Sequence, residues 1–573
     1  MTPRSAVLAT ACLLTATACI ADGPEQLSLD PGTRAFALPE RPVILFFVDG
    51  LRTDVLQDLA ARGELPRLQR LLFERGTRVR SAVTCVPSVT YANAVSMLTG
   101  CWPSTHGAWS NAAFDRENLR TIDYESHRER ATDDVSCDSM FELLGGELTA
   151  GVALPFERGV KISRVQSADT GGIEFGWNWI TGRKQEADES LVEQLQEIAD
   201  TAGRVGEWPA FIAVYVPAAD EIGHEKGSDT QEYRDAVANL DEAVGGLLES
   251  FERGGMLDDL TIVLTSDHGH HPTPWSIDPQ AYLSGALQAP VVVGPADDEE
   301  EMLFVERWER YAPAQVVAIR NGAREASLHL RTGQRWDERP TFEQIMAFPG
   351  GASAPLPDRL ASPAVSLIAV RAGEHEVRLY TSRGSAAIRR TSSGSDSGSG
   401  AGSGDAAPAE PLFSYEVLDG RDPLLYDEVE GLPTWMQSPH TSREWLAATA
   451  DTSRPDVVPQ LLTAFDDPRS GDVILFAAPG WDFAPEEYLG GHGGLEREEL
   501  IVPLVIAGPG IPAGAELACA RLVDIVPTLI ELAGVPVDDP AFDGVSLAQE
   551  LGRAGQAPPA AAAPGRVAEG RSP

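Results

Sequence analysis

The chain is 573 residues long and 43% hydrophobic, enough to bury a large core in more than one lobe, which excludes a wholly disordered protein. Its 86 acidic against 45 basic side chains give a formal net charge of −41, which excludes general affinity for nucleic acid backbones. That charge also repels anionic small molecules, so a site for phosphate must carry its own local positive charge, which bound dications would supply.

Residues 1–18 read as an export signal: Arg4 is the positive end, Ala6 to Leu14 the short apolar stretch, and Thr15-Ala16-Thr17-Ala18 a small-residue run before Cys19. The stretch is too short to span a membrane, and no other apolar run is long enough. Ala16-Thr17-Ala18-Cys19 resembles a bacterial lipobox, with Leu more usual where Ala16 stands. It implies an exported protein, periplasmic or held at the outer membrane or cell surface through lipidated Cys19; cleavage and release is the alternative. Residues 19–40 then read as a tether. Cys85, Cys101, Cys137 and Cys519 suffice for up to two disulfides in an oxidising compartment, with the pairing open. No C-x-x-C pair points to thiolate-bound zinc.

A first core segment is expected over 41–275. Val43 to Val48 is a continuous apolar run ending in Asp49-Gly50, the way a buried parallel strand delivers a carboxylate to its C-terminal edge. Val55, Leu59, Leu65 and Leu68 to Leu72 continue at helical spacing. Next comes Cys85 to Asn111, where Thr90 opens an apolar helical run from Ala92 to Leu98 that Thr99-Gly100 ends. A hydroxyl in the first turn of a helix faces unpaired N–H groups and the positive end of the dipole, so an attacking oxygen and an anionic substrate are both favoured there. Thr90 is therefore the candidate nucleophile; alone, it would pass for a helix cap.

Asp138 to Leu144 predicts a short helix and Ala150 to Leu154 a strand. Phe211 to Val216 repeats the buried-strand pattern and runs into Asp220-Glu221-Ile222-Gly223-His224. Val237, Leu240, Val244, Leu247 and Phe251 predict one face of a helix from Tyr233 to Phe251. Thr261 to Ser266 is a third such strand, ending in Asp267-His268-Gly269. Strands alternating with helices predict an α/β fold with a mostly parallel central sheet.

The rhythm changes over 276–467, read as an inserted cap lobe with strands at Val365 to Val370 and Val377 to Thr381 and a flexible Ser/Gly loop at 392–404. The core is expected to resume over 468–553, first with Asp472 to Phe476, then Gly490-Gly491-His492-Gly493-Gly494, the Ile501 to Ala507 strand and a helix from Val523 to Ala533. Residues 554–573 are an Ala/Pro-rich tail read as disordered.

Asp49, Asp220, His224, Asp267, His268 and His492 each follow an apolar run or sit in a Gly-rich loop. Carboxylates and imidazoles without thiolates suit zinc, with manganese also compatible. With the Thr90 hydroxyl they are donors enough for two divalent ions.

These pieces resemble the alkaline phosphatase superfamily, and within it the type I phosphodiesterase/nucleotide pyrophosphatase family. The resemblance is carried by V-D-G (Val48 to Gly50), P-S-V-T-Y-A-N (Pro87 to Asn93), T-G-C-W-P-S-T-H-G-A-W-S-N (Thr99 to Asn111), D-E-I-G-H (Asp220 to His224), S-D-H-G (Ser266 to Gly269) and G-H-G-G (Gly491 to Gly494). It implies a three-layer sandwich with an inserted cap lobe, one zinc held by Asp220, His224 and His492, and a second by Asp49, Asp267, His268 and Thr90. It also implies in-line attack by Thr90 through a covalent phosphothreonine, with the Asn111 amide contacting a phosphoryl oxygen.

Small-molecule phosphate esters are the implied substrates; the oligomeric state stays open. Cys85-Val86-Pro87-Ser88 mimics the start of a sulfatase signature, but it lies five residues before Thr90 and Val89 stands where the arginine belongs. The family's T-F-P-N-H becomes Thr90-Tyr91-Ala92-Asn93-Ala94, leaving Tyr91 as a candidate stacking surface for a base or aromatic leaving group, or else a core aromatic. Related monoesterases carry K-D-R near Phe156-Glu157-Arg158, which makes Arg158 a candidate phosphate contact and leaves Phe156 in place of the lysine. Without that lysine a monoanionic diester is favoured over a dianionic monoester. The alternatives are a phosphomonoesterase or phosphonate hydrolase with the same site, and a non-catalytic surface lipoprotein on a hydrolase scaffold.

Overall fold

Val43–Val48, with sequence VILFFV, is buried along its whole length. Ile44, Phe46 and Val48 pack into one apolar cluster and Val43, Leu45 and Phe47 into another on the opposite face. Alternate side chains of a strand point to opposite faces, so a run apolar at every position is stable only between two covered faces. Burying each such side chain fully is worth about 1.5–3 kcal/mol. The strand therefore sits in the middle of a sheet.

That sheet has eight strands, in the order 515–521, 76–83, 501–507, 261–265, 43–48, 211–216, 149–152 and 162–164. Only 501–507 runs against the rest. One face is covered by helices Thr53–Ala61, Gln185–Val205 and Gln231–Arg253, the last burying Val237, Leu240, Val244, Leu247 and Phe251 as its spacing predicts. Helices Thr90–Thr99, Val457–Ala464 and Ile525–Ala533 cover the other. This is the expected α/β sandwich with a mostly parallel central sheet.

A computed structural model gives this architecture for residues 29, 36–127, 129–164, 185–295, 302–391, 410–484, 488–537 and 541–554. The expected export signal, Cys19, most of the tether, the 392–404 loop and the tail from 555 lie outside the described residues.

The segment after the first core forms a second sheet of nine strands, mostly antiparallel. Val473–Ala477 lies inside it, hydrogen-bonded to Glu325–Leu330 on one side and Val365–Arg371 on the other. This corrects the expectation that the first sheet resumes at Asp472; the chain returns to it only at Ile501. Ile474, Phe476, Leu367 and Ala369 face the same helical layer that covers the first sheet, while Val473, Leu475, Ile368 and Val370 face helices on the far side. The second lobe thus shares a core layer with the first.

Candidate active site

Strands 261–265, 43–48 and 211–216 are parallel neighbours and end at one edge. Asp49 follows the middle strand; Asp267 and His268 follow another beyond Ser266; Asp220 and His224 lie one turn apart on helix Ala218–Lys226 after the third. Gly50, at φ 62°, brings the backbone so close to Asp220 that a Cβ there would stand 2.7 Å from its Oδ1. His492 arrives from the far lobe side: its N–H donates to Gly322 O (2.8 Å) and its carbonyl accepts from Arg324 N–H (3.0 Å), both on the turn between strands Val316–Asn321 and Glu325–Leu330.

The donor atoms converge. His224 Nε2 is 3.3 Å from Asp220 Oδ2, His492 Nε2 is 3.8 Å from Asp220 Oδ1, and His268 Nε2 is 3.2 Å from Asp49 Oδ1. Donors bonded to one tetrahedral zinc at about 2.0–2.2 Å stand roughly 3.3–3.6 Å apart, so these spacings lie within a few tenths of an ångström of those of shared ligation. Asp220, His224 and His492 make one tight group, and Asp49, Asp220 and His268 another. Asp267 had been expected in the second group; it lies beside it, with Oδ2 3.8 Å from His268 Nε2 and Oδ1 accepting from the Gly50 and His268 N–H groups.

Each histidine is turned by a backbone carbonyl. Nδ1–H is donated to Gly490 O by His224 (2.8 Å), to Ser88 O by His492 (3.0 Å) and to Gly269 O by His268 (2.9 Å). A carbonyl only accepts, so Nδ1 bears a hydrogen and Nε2 is left facing the cluster, the ring orientation a metal requires. Asp49 Oδ1, Asp220 Oδ1 and Asp267 Oδ2 are buried without a hydrogen-bond partner among the described residues. Burial, then the charges of Asp267 and Asp220, hold the Asp49 carboxyl well above the usual range. Burial outweighs the opposing His268 charge to raise Asp267 as well. Burial also acts on Asp220, but His224 and the other imidazoles overcome it and keep that carboxyl well below its usual range; His224, against its own burial, is raised to about 9 by Asp220. Orphaned carboxylate oxygens crowded together in a buried site are what divalent cations neutralise, so the residues present fit a metal centre.

Thr90 is the first residue of its helix and the hydroxyl caps nothing: Oγ1 lies 3.2 Å from His268 Nε2. Asn93 ties the preceding loop down, accepting from Cys85 N–H (2.7 Å) and donating to the Pro87 and Val89 carbonyls (3.0 Å each). Asn111 stands alongside, its Oδ1 accepting from Tyr91 N–H (2.9 Å) and its Nδ2 donating to Glu125 (2.6 Å).

Two expected substrate contacts are not placed for that role. Arg158 is bound to Glu142 (2.8 Å) and to the carbonyls of Val135 and Cys137, because the 135–142 turn offers a ready-made set of acceptors. Tyr91 is buried in the core with its ring stacked on Tyr124 at 5.9 Å, the second of the two fates its sequence left open. Cys101 bonds to Cys137, while Cys85 is a buried thiol that desolvation pushes up to about 12.

Sequence reasoning missed Tyr215, which donates to Asp49 Oδ2; Glu125; and His270, a fully buried ring 3.5 Å from Asp220. The run Asp267-His268-Gly269-His270-His271 was the one available signal for the last of these.

A family model described as type I phosphodiesterase / nucleotide pyrophosphatase matches residues 43–345, more than half of the chain. An uncharacterized pyrophosphatase/phosphodiesterase of Schizosaccharomyces pombe is 28% identical over 255 residues, 43% of this chain and 47% of that protein. Rat ectonucleotide pyrophosphatase/phosphodiesterase family member 7 is 25% identical over 284 residues, 46% of this chain and 56% of that protein. The chain thus spans about half the length of these relatives. The structure of human ectonucleotide pyrophosphatase/phosphodiesterase 5 matches with a TM-score of 0.50 and 13% identity, covering 89% of this chain and 99% of that one, a likeness of fold.

Proposed function

Because this chain belongs to the type I phosphodiesterase/nucleotide pyrophosphatase family of the alkaline phosphatase superfamily, we propose that it is a metal-dependent phosphoric ester hydrolase, a phosphodiesterase or nucleotide pyrophosphatase of small phosphate esters. The observation that carries this reading is the Thr90 hydroxyl, 3.2 Å from His268 Nε2 at the head of a buried helix, in a cluster whose carboxylate oxygens find no hydrogen-bond partner among the described residues.

Asp220, His224 and His492 would hold one divalent ion, and Asp49, Asp267, His268 and Thr90 a second; the donor set favours zinc. Bound there, such ions supply Lewis-acid charge at the phosphoryl oxygens and lower the pKa of a coordinated hydroxyl or water. Thr90 Oγ1, its proton passing to solvent, attacks phosphorus in line, and the ester oxygen opposite departs and takes a proton from water. The phosphoryl group, still carrying its other ester substituent, stays on the threonine until water cleaves that bond, restores the hydroxyl and releases a monoester. Asn111 Nδ2 carries two hydrogens; Glu125 takes one, and the other faces a phosphoryl oxygen as charge develops. Pro87 to Val89, pinned by Asn93, fix the angle at which the attacking oxygen is presented.

A diester is favoured over a monoester. Phe156, which by the resemblance takes the place of the monoesterases' lysine, is fully buried in the core, and Arg158 is committed elsewhere, so the monoesterase alternative loses its anchor. Export, with Cys19 lipidated at the periplasmic or outer surface, is part of the same reading; among the described residues no helix is long and apolar enough to cross a membrane. The lobe inserted after residue 275 is read as a brace for His492 rather than a lid. Zinc-replete protein should cleave bis-p-nitrophenyl phosphate faster than p-nitrophenyl phosphate. The opposite ranking would favour a monoesterase, and no turnover of either with no metal bound would favour the non-catalytic scaffold.

A further inference from the structure

We propose that His270 is a positioning residue of the metal centre, its Nε2–H holding Asp220 Oδ1 so that one carboxylate faces both donor groups. The inference rests on the metal-centre reading above and goes beyond the ligands it names.

Asp220 is the acid common to both tight groups, so whatever fixes its carboxylate fixes the two together. His270 Nε2 stands 3.5 Å from Asp220 Oδ1, a few tenths of an ångström beyond the usual N–H···O range of about 2.7–3.2 Å, so a small shift of either group closes the bond. Neither nitrogen of the ring nor that oxygen makes a hydrogen bond with any described residue, and all are buried. The ring has little freedom to turn elsewhere: a Cβ on Gly223 would come within 2.8 Å of its Nε2, and one on Gly490 within 2.7 Å of its Cε1. The His224 ring lies across it at 4.8 Å. The glycine inside D-E-I-G-H therefore makes room for an imidazole, although an apolar side chain of similar length would fill the space without burying idle polar atoms. Groups that orient a metal-binding carboxylate from behind typically change metal affinity about 10–100-fold when removed.

The test is zinc titration of the full chain, freed of metal, against a competing chromophoric chelator, with thermal unfolding of the metal-free protein in parallel. His270→Met should bind zinc about 10–100-fold more weakly while the metal-free protein melts as the wild type does. His270→Gln, which keeps an N–H donor, should recover most of that affinity. In an Asp220→Ala background His270→Met should cost nothing further, because its partner is already gone. Wild-type affinity in His270→Met, or an undiminished second loss in the Asp220→Ala background, would overturn the assignment. If His270→Met does not fold, His270→Gln decides: near-native affinity supports the role and a loss as large as that of Asp220→Ala refutes it. Failure of the wild type itself to bind zinc would overturn the metal centre along with this inference, whereas wild-type binding with an unaffected His270→Met variant would overturn this inference alone.

Discussion

Thr90 owes its candidacy to where it stands. The hydroxyl belongs to the first residue of a buried helix, yet it turns away from the backbone and toward His268. Thr90→Ala should lower kcat by about 10³-fold or more, as loss of a nucleophile does, with little change in zinc retention by the imidazoles and carboxylates; equal turnover in the variant would remove Thr90 from the chemistry. The surrounding charges set a pH dependence. His224 is raised to about 9, so below that pH the metal-free site carries a proton that a cation must displace, and the upward shift of Asp49 and Asp267 acts in the same direction. Zinc affinity should therefore rise with pH until His224 is neutral near 9, and calorimetry in buffers of different ionisation heat should show proton release on binding. A flat affinity between pH 6 and 9 would contradict this. Asp49, Asp220, His224, Asp267, His268 and His492 were legible because each ends an apolar run or sits among glycines. Arg158 and His270 were not, for opposite reasons: a long side chain goes to whichever acceptors tertiary packing offers, and a histidine behind a ligand has no spacing of its own.

The Thr90 helix is held by more than its apolar face. His106 is fully buried beneath it, with Nε2 3.0 Å from Ser96 Oγ and 3.2 Å from Ala92 O, and Nδ1 accepting from Ala108 N–H at 3.1 Å. His106→Ala should cost about 1–3 kcal/mol by stranding these partners, read by chemical denaturation. Burial lowers the His106 imidazole to about 3. Below the ordinary value of 6.5 the unfolded chain takes up a proton that the folded chain refuses, so stability falls as pH drops from 6.5 toward 3, by up to about 1.4 kcal/mol per unit. His106→Gln should flatten that slope, and an unchanged slope would assign the acid sensitivity elsewhere. Elements ran true where one pattern has one meaning, as in Val43–Val48 and Gln231–Arg253. Val473–Ala477 was misassigned because an apolar pentapeptide reads alike in either of two buried sheets; only its hydrogen-bond partners distinguish them.

Across the molecule, two sheets share one helical layer, and the second lobe reaches the site through the turn that holds His492. Arg324 in that turn is fully buried, with Nε donating to Glu499 at 2.8 Å, and Glu499 in turn accepts from Gly494 N–H at 2.8 Å. Arg324→Leu leaves the buried Glu499 carboxylate without its counter-charge, which costs about 3–5 kcal/mol, and by loosening the His492 loop it should weaken zinc binding as well. A variant that melts early but keeps native zinc affinity would show that the lobe does not brace the metal centre. The most direct test of the whole account is acid quench of zinc-loaded protein during turnover of a radiolabelled diester, followed by peptide mapping. The account predicts a radiolabelled phosphoryl group, still bearing the substrate's remaining ester substituent, on Thr90 and absent from Thr90→Ala; rapid turnover that leaves Thr90 unlabelled while Thr90→Ala remains active would contradict it.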